Sequence, residues 1–502
     1  MDREIFFFPA QAREEGEVTL LSAEVDLSQF TFSPLYWDIR AVFTVGEDPY
    51  LVPTRMPDRQ DSSLVAKLRR WSKRLERTLF PGSYRQGEDL SVSLYTTADR
   101  NYALVCQEYS PYSGFAFRMK ERLALLLARL FKKQLAEKSI FLVYEKYCCM
   151  AQDNGFYFFR HCMENDMERE MNRSIYFVID KKQPDYQERL LPYADHVIDF
   201  MSLKHMVYIL AAKLLISSDS KAHAYAWRAK ESIILPRVQH GKKLVFLQHG
   251  VIALKRVEFY SKGTNAVSLF VTSNQREHDI IVNEMAYPPE DVIITGLARW
   301  DVLRDRPIEE KHILVMPTWR NWLEEVSDEV FMASDYYRNY MDLLNDDRLA
   351  RLLEEKDLYL DFYIHPKFRE YLSNFSLSGG ERVRLIPFGS EPLNELMMEC
   401  RMLITDYSSV CWDVYYQGKP VLFYQFDVDK YNETTGSYID LETELFGDRV
   451  MTAEELLSQL EAYADRDFAL PEVYAKMRPD MYEYLDHNNS QRICEEIMKR
   501  NW

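Results

Sequence analysis

The sequence predicts an α/β protein with two doubly wound parallel sheets, preceded by a small β-rich domain. The chain has 502 residues, which is too long for one ordinary hydrophobic core. Its residues are 47% hydrophobic and 14% aromatic, enough to fill large cores. From about residue 139 onward, short apolar runs alternate with amphipathic stretches in two successive series. Such alternation is typical of parallel strands joined by helices, and two series favour two facing domains.

Residues 1–112 differ in pattern from the rest of the chain. Stretches such as LSVSLYTTADRNYALVCQEY are rich in β-branched and aromatic residues and are separated by Pro, Gly and Asp. This composition is typical of short antiparallel strands connected by turns. We therefore predict a β-rich accessory domain over 1–112.

The segment 113–138 is predicted to be a basic amphipathic helix that also serves as a linker. Residues 118–138 contain seven Lys or Arg and two Glu, and their apolar residues recur at helical spacing. A helix of this kind binds anionic membrane surfaces. A helix between domains with a solvated basic face explains the pattern equally well.

The two α/β series define the two remaining domains, an acceptor-side domain over 139–310 and a donor domain over 311–502. The first series of predicted strands comprises SIFLVYEK, SIYFVID, HVIDFMS, LLISSD, KLVFLQHG, LFVTSN and DVIITG. The second comprises HILVMPTWR, LDFYIHPK, VRLIPF, MLITDYSS and PVLFYQFD. Ligands of such sheets bind beyond the carboxyl ends of the strands, where several of these runs turn polar.

Two of the polar strand ends supply a histidine and an arginine. His249 and Gly250 follow the strand KLVFL, and this combination suits proton transfer beside a closely approaching ligand. Thr318 and Arg320 follow the strand ILVM, where a hydroxyl and a guanidinium can bind phosphate oxygens. Taken alone, His249 is more often a partly buried imidazole bonded to a backbone carbonyl, and Arg320 alone also fits a surface salt bridge.

The other two strand ends carry a second histidine and a hydroxyl-rich turn. His365 and Lys367 follow the strand LDFYI. In LITDYSSVCWDV, the hydroxyls of Ser408 and Ser409 fall at the start of a predicted helix, where backbone N–H groups are unpaired. A helix cap needs only one such hydroxyl, so a pair of them facing a histidine and an arginine indicates a ligand. We predict that this turn and His249 meet in one cleft and bind a diphosphate. The predicted substrate-binding residues here are Asp406, Ser408, Ser409 and Asp413, the last about a helical turn further on.

Taken together, these motifs resemble the CDP-glycerol glycerophosphotransferase family, which builds poly(glycerol phosphate) and poly(ribitol phosphate) chains of teichoic acids and related capsular polymers. The resemblance runs from about residue 140 to the C-terminus. It is carried by DNGFYFFRHC, LQHG, GLARWD, PTWR, HPK, LITDYSSVCWDVYYQGKPVLFY and LDHNNSQRI, in that order. It implies a GT-B-like pair of domains, with the donor bound mainly by the second.

The resemblance also implies roles for the strand-end residues. His249 matches the histidine thought to act as general base on the acceptor hydroxyl. Arg320, His365, Ser408 and Ser409 match positions that hold the diphosphate of a CDP-alcohol, and we also assign His365 a catalytic role. The implied reaction is attack of a terminal polyol hydroxyl on the β-phosphorus, with CMP as leaving group. Fixed hydrogen-bond donors stabilise such charge without a metal.

The chain departs from the family pattern directly after His249. Many members have His-Gly-Thr-Pro-Leu-Lys, whereas here the run is His-Gly-Val-Ile-Ala-Leu-Lys, ending at Lys255. The Thr-Pro pair is absent and one residue is inserted. The histidine keeps its place, while the acceptor-side loop differs.

Charge, cysteines and hydropathy exclude several classes of protein. The net charge of −17 argues against a nucleic-acid-binding protein. Ten histidines and seven cysteines form no close metal-ligand motif, so we predict neither a metal nor a cofactor besides the CDP-glycerol or CDP-ribitol donor. An odd cysteine count without CxxC, and no signal peptide or membrane span, predict a cytoplasmic protein. We expect it on the inner face of the cell membrane, acting on a lipid-linked polyol-phosphate acceptor.

Three alternatives remain open at this stage. The first is a ribitolphosphotransferase using CDP-ribitol. The second is a GT-B transferase or epimerase for nucleotide sugars, although such enzymes usually bring carboxylates to the sugar ring. The third is a non-catalytic, membrane-bound assembly factor. The sequence leaves undetermined the alditol, the acceptor, addition of one or many units, the role of the N-terminal domain and the oligomeric state.

Overall fold

The computed structural model describes residues 6–15, 18–33, 36–45, 48–54, 83–87, 90–96, 101–108, 112, 115–226, 229, 232–306, 308–324, 326–364, 380–387, 389–500 and 502. The chain forms two compact units. The first comprises Met1–Leu123 and Arg228–Ile233, and the second comprises Ala124–Trp227 and Ile234–Trp502.

The first unit is rich in antiparallel strands, as predicted. Two hairpins and one four-stranded sheet are described, and the sheet has the order β3-β8-β7-β6. Phe32, Val92 and Cys106 are buried together in a small core. The strands are β1 Gln11–Glu15, β2 Val18–Ser22, β3 Tyr36–Asp38, β4 Arg40–Val45, β5 Asp48–Pro53, β6 Ser83–Gln86, β7 Leu90–Thr96 and β8 Tyr102–Glu108.

The predicted basic helix forms two consecutive helices, Phe115–Leu130 and Lys132–Lys138. They are separated at Phe131, whose backbone angles (φ −98°, ψ 20°) leave the helical range. In the described part of the chain, no helix is both long and apolar enough to cross a membrane.

The first α/β domain contains a seven-stranded parallel sheet with the order β11-β10-β9-β12-β13-β14-β15. All four residues of the central strand β12 are buried, as are all five of β9, which explains their continuous apolar runs. The strands are β9 Ile140–Tyr144, β10 Ser174–Ile179, β11 Val197–Asp199, β12 Leu214–Ser217, β13 Lys243–Phe246, β14 Leu269–Thr272 and β15 Val292–Ile294.

The second α/β domain contains a six-stranded parallel sheet with the order β18-β17-β16-β19-β20-β21. Every strand predicted for both series is present; the short edge strand β21 was not predicted. The strands are β16 Lys311–Met316, β17 Leu358–Ile364, β18 Val383–Pro387, β19 Met402–Thr405, β20 Val421–Tyr424 and β21 Asp448–Val450.

Helices connect these strands and bury their apolar faces against the two sheets. In the first domain they are Asn154–Glu164, Met167–Met171, Leu203–Ala211, Leu235–Gly241 and Gln275–Glu284. In the second they are Asp328–Met332, Asp335–Leu344, Asp347–Glu355, Leu393–Glu399, Val410–Tyr416, Val428–Thr434, Ala453–Asp465, Glu472–Met481 and Asn489–Met498.

The last helix, Asn489–Met498, returns to pack on the first domain. The carboxylate of Asp301 accepts hydrogen bonds from the backbone N–H groups of Asn489 (2.7 Å) and Ser490 (2.8 Å). Gly296 adopts φ +77°, and a Cβ atom there would lie 2.8 Å from Asn489 Cγ, so only glycine fits. This helix follows the second α/β domain in sequence but packs on the first. The predicted limits of the four domains stay predictions.

Candidate active site

Three polar strand ends lie where a sheet reverses its strand order. In the first sheet the reversal lies between β9 and β12, and in the second between β16 and β19. Asp219 follows β12, Thr318 follows β16 and Asp406 follows β19. In open α/β sheets this crevice is the usual ligand site.

A strained turn presents His249 beyond the end of β13. The preceding Gln248 adopts φ +64°, a left-handed conformation that costs a residue with a side chain about 1 kcal/mol or more. Buried hydrogen bonds hold Gln248 in this conformation. Its backbone carbonyl accepts from Asn154 Nδ2 at 2.7 Å, and its side-chain Nε2 donates to Glu277 at 3.0 Å. The turn leaves the His249 side chain 47% exposed.

Two carboxylates flank the His249 ring. Asp153 Oδ2 lies 2.8 Å from Nδ1, and Asp219 Oδ2 lies 3.7 Å from Nε2. Burial alone would lower the pKa of His249, but its hydrogen bonds and charge interactions with Asp153 and Asp219 outweigh it and raise the pKa to about 9. The shorter contact favours the tautomer with its proton on Nδ1, which leaves Nε2 as the free acceptor when the ring is neutral.

Asp219 is itself held by several groups. His223 Nδ1 lies 2.9 Å from its Oδ2, and the Tyr260 hydroxyl donates to Oδ1 at 3.3 Å. Burial opposes its charge, yet hydrogen bonds from His223 and His249 lower the pKa of Asp219 well below its usual range. Asp219 therefore remains a carboxylate at neutral pH and stabilises the protonated form of His249.

Arg299 joins the His249 region to the second domain. Its Nε and Nη2 donate to the two carboxylate oxygens of Asp413 at 2.6 and 2.8 Å, and its Nη1 donates to Asp153 at 2.9 Å. Nη1 also donates to the carbonyl of His249. Trp300 Nε1 donates to Asp413 at 2.8 Å. This buried, bidentate ion pair fixes the orientation of the two domains at the site.

Gly250 and Ser409 bring the two predicted clusters into direct contact. A Cβ atom at Gly250 would lie 2.9 Å from Ser409 Cβ, and closer still to Ser409 Oγ. The backbone beside His249 therefore touches the turn after β19. The predicted meeting of His249 with the turn at residues 408–409 in one cleft agrees with this contact.

The buried carboxylate of Asp406 stabilises the turn after β19. Its side chain is fully buried, and Oδ1 accepts from the backbone N–H groups of Thr318 (2.8 Å) and Tyr407 (2.6 Å). Oδ2 accepts from Arg320 Nη1 at 2.8 Å and from the Tyr340 hydroxyl at 3.3 Å. Asp406 thus links the ends of β16 and β19, and a direct substrate contact would displace these bonds.

Arg320 lies inside the second domain, which differs from its predicted position at the diphosphate. It has no exposed surface; Nε and Nη2 donate to Asp427 at 2.7 and 3.0 Å, and Nη1 donates to Asp406 and to the carbonyl of Thr318. Burial disfavours its charge, but Asp406 and Asp427 outweigh that effect and raise its pKa. Its donors are used to shape the turn, so contact with a diphosphate would require these ion pairs to open.

Three hydroxyls around this turn have no hydrogen-bond partner among the described residues. Ser409 is the first residue of the turn into helix Val410–Tyr416, yet its side chain makes no capping bond. The Ser408 hydroxyl likewise makes no hydrogen bond to any residue that the structure describes. The buried Oγ1 of Thr318 also has no partner among the described residues. Hydroxyls without protein partners in a cleft suit the oxygens of a bound phosphate.

Three other predicted residues are placed differently or lie outside the described residues. Asp413 is buried, with both carboxylate oxygens engaged by Arg299 and Trp300, so it forms part of the joint between the domains. A contact between Asp413 and substrate would need this joint to break. His365 and Lys367 lie outside the described residues, and their predicted roles stay predictions.

Sequence reasoning did not assign Asp153, Asp219 or Arg299 to the site. Asp153 caps helix Asn154–Glu164, accepting from the N–H of Asn154 at 2.7 Å, and the run Asp-Asn-Gly before an aromatic stretch signals such a cap. Asp219 follows an apolar strand in LLISSD, the same criterion that identified His249. Within the described ranges, no three His, Cys, Asp or Glu side chains are grouped so as to hold a metal ion.

Comparison with known proteins agrees with this geometry. Residues 134–499 match the family described as CDP-Glycerol:Poly(glycerophosphate) glycerophosphotransferase. The chain belongs to this family. The solved structure of the wall teichoic acid polymerase TagF is similar to it, with a TM-score of 0.54 and 17% identity, covering 77% of this chain and 94% of that one. The likeness confirms the predicted GT-B-like pair of domains.

Curated relatives match the chain over only part of their own length. The minor teichoic acid biosynthesis protein GgaB of Bacillus subtilis is 27% identical over 363 residues, which cover 70% of this chain and 38% of that protein. The teichoic acid ribitol-phosphate polymerase TarK of Staphylococcus aureus is 24% identical over 292 residues, covering 53% of this chain and 54% of that one. The chain thus spans about a third to a half of these relatives.

Proposed function

We propose that the protein transfers glycerol phosphate, or a similar alditol phosphate, from a CDP-alcohol to a hydroxyl of a lipid-linked or polymer acceptor. The reaction releases CMP and contributes to a teichoic-acid-like or capsular polymer. The observation that carries the proposal is the contact between Gly250, beside His249, and Ser409, in the hydroxyl-rich turn. This contact supports the proposal because it brings the backbone beside His249 against the turn that carries the hydroxyls of Ser408 and Ser409.

His249 acts as general base in this proposal. Its neutral form accepts the proton of the acceptor hydroxyl on Nε2 while that oxygen bonds to the β-phosphorus of the donor. The bond from the β-phosphorus to the bridging oxygen breaks, and CMP leaves with the electron pair. Asp153, 2.8 Å from Nδ1, orients the ring and stabilises its protonated form. Such a base contributes about 10²–10⁴-fold to the rate.

The hydroxyls of Ser408, Ser409 and Thr318 are the proposed donors to the diphosphate. Removing one such preorganised donor typically costs about 10²–10³ in rate. The family description, which names CDP-glycerol and poly(glycerophosphate), supports glycerol phosphate as the transferred group. The similarity to TarK, named as a ribitol-phosphate polymerase, supports CDP-ribitol as the alternative donor.

The test is a panel of CDP-glycerol, CDP-ribitol and UDP-sugars, each incubated with a lipid-linked polyol-phosphate acceptor. CMP release and the product mass are measured for wild type and for His249→Ala. We expect CMP from one CDP-alcohol and an acceptor that gains one or more alditol phosphates, with at least a hundredfold loss in the variant. Turnover of a UDP-sugar instead, or full activity of His249→Ala, would refute the proposal.

We also propose that the reaction proceeds without a metal ion or other cofactor. Histidine and hydroxyl groups supply the proton acceptor and hydrogen-bond donors that charge stabilisation needs. Activity should be unchanged after dialysis against EDTA. A loss that Mg²⁺ restores would contradict this part of the proposal.

Peripheral binding to the cytoplasmic face of the membrane is proposed for the helix Phe115–Leu130. Four apolar side chains at helical spacing are exposed: Met119 (43%), Leu123 (44%), Leu126 (51%) and Leu130 (65%). The surrounding residues are rich in Lys and Arg, which suits anionic lipid. Flotation with vesicles containing anionic lipid should carry the protein at low salt and release it at high salt. A protein that stays at the bottom of the gradient at low salt does not bind lipid in this way.

A further inference from the structure

The two arginines nearest the cleft are both paired with carboxylates. Arg299 contacts two carboxylates, Asp153 and Asp413. Arg320 likewise contacts two, Asp406 and Asp427. Each arginine is therefore outnumbered by its own partners and provides no net positive charge to a diphosphate. A further cation beside the turn that follows β19 would therefore strengthen the binding of a diphosphate there.

Lys255 is a cation without an assigned partner in this neighbourhood. It is partly buried, and it has no hydrogen bond or ion pair with any residue in the described part of the chain. Burial lowers its pKa, as expected of an ammonium group removed from water without a counter-charge. Burying such a group is costly unless an anion joins it.

The backbone on both sides of Lys255 is attached to the second domain. The Tyr431 hydroxyl donates to the carbonyl of Leu254 at 3.0 Å, and the N–H of Arg256 donates to the carbonyl of Gly436 at 3.0 Å. The Tyr431 ring stacks on Tyr407, with ring centres 3.6 Å apart and planes 4° apart. Tyr407 directly precedes Ser408. The backbone that flanks Lys255, in the first domain, is thus joined to Tyr431 and Gly436 of the second, and Tyr431 packs on the turn at residues 406–409.

We propose that Lys255 binds the diphosphate of the nucleotide donor. This inference rests on the proposed function for the identity of the donor, but the contact itself concerns only the diphosphate group. The ammonium supplies the charge that Arg299 and Arg320 cannot, and the first domain thereby contributes directly to donor binding. Lys255 also follows His249 by six residues, so one loop carries both the proposed base and the proposed phosphate-binding residue.

The test compares the binding of CDP, UDP and cytidine to wild type, Lys255→Met, Lys255→Arg and a control, by titration calorimetry. The control is Lys262→Met, since Lys262 is exposed and paired with Asp291 at 3.3 Å. We expect Lys255→Met to weaken CDP binding about tenfold or more, because a charge-assisted contact is lost. Cytidine binding should not change, Lys255→Arg should retain most of the affinity, and the control should bind as wild type does.

The outcomes separate this inference from the proposed function. If wild type binds UDP and not CDP, the proposed donor is wrong, and the effect of Lys255→Met on UDP still decides the contact. Unchanged diphosphate binding by Lys255→Met overturns the inference. An equal loss for cytidine shows a merely structural role and overturns it as well. If Lys255→Met does not fold, Lys255→Arg decides: a loss as large for cytidine as for CDP overturns it, and retained diphosphate binding supports it.

Discussion

The two sheet edges that meet at Gly250 and Ser409 use charge in opposite ways. At the first edge, His249 is nearly half exposed, and its two carboxylate neighbours adjust its proton affinity. At the second edge, Arg320, Asp406 and Asp427 are buried, and their ion pairs present neutral hydroxyls and backbone to the cleft. In the proposed reaction, the first edge supplies the proton acceptor, and the buried ion pairs of the second edge hold the backbone and hydroxyls in place. Mutations around His249 should therefore affect chemistry, whereas mutations of the buried Arg320 ion pairs should affect folding.

The largest effect is expected from Arg320→Met. Removing the guanidinium leaves Asp406 and Asp427 buried without their cation, which typically costs about 3–5 kcal/mol of folding free energy. Urea denaturation followed by circular dichroism measures the change. A loss below about 1 kcal/mol would mean that the second edge does not depend on this buried charge.

Gly250→Ala tests the contact between the two edges. The new methyl group collides with Ser409, and a displacement of about 1 Å at a reaction centre can cost about 10²-fold in rate. Ser409→Gly removes the obstacle, so the double variant should recover part of the activity of Gly250→Ala. Steady-state CMP release by the two single variants and the double variant measures this. Additive losses would show that the two positions do not touch.

Asp153→Asn tests whether the Asp153 carboxylate raises the pKa of His249. A neutral His249 is the active form, so kcat/KM of wild type should rise with pH and level off above the pKa of about 9. Without the Asp153 carboxylate the protonated ring is less stable, so the plateau should begin at lower pH. The plateau itself should fall about tenfold because the ring loses its orientation. A pH profile with an unchanged midpoint would refute the role of Asp153.

The smallest effect is expected from Lys311→Met, at the opposite end of the strand that leads to Arg320. Lys311 pairs with Asp467 at 2.7 Å, but both side chains are exposed. Such pairs contribute about 0.2–1 kcal/mol. Denaturation under the same conditions as for Arg320→Met gives a direct comparison of an exposed with a buried ion pair.

Apolar runs made the sheets predictable. Strands such as β9 and β12 are buried at every position, so their sequences are continuously apolar. The edge strand Asp448–Val450 has three residues, two of them charged, and lacks this pattern. The break at Phe131 was missed for a related reason: the periodicity of apolar residues continues across it.

The residues at the strand ends were predictable as a group, but their individual contacts were not. A polar run after a strand indicates that a side chain lies at the crevice, yet Arg320 turns inward and His249 outward. Which of these occurs depends on partners distant in sequence, such as Asp427 and Asp153. The same limit explains Asp413, whose partner Arg299 is 114 residues away.

The return of helix Asn489–Met498 to the first domain has a mechanical consequence. The chain crosses between the α/β domains twice, once before Lys311 and once before Asn489. Two chain crossings restrict the relative motion of the two domains more than a single linker would. Sliding or separation would stretch both, so the remaining motion is a swing about the axis through the two crossings. The buried Arg299–Asp413 ion pair spans the two domains, so any such swing would have to break it.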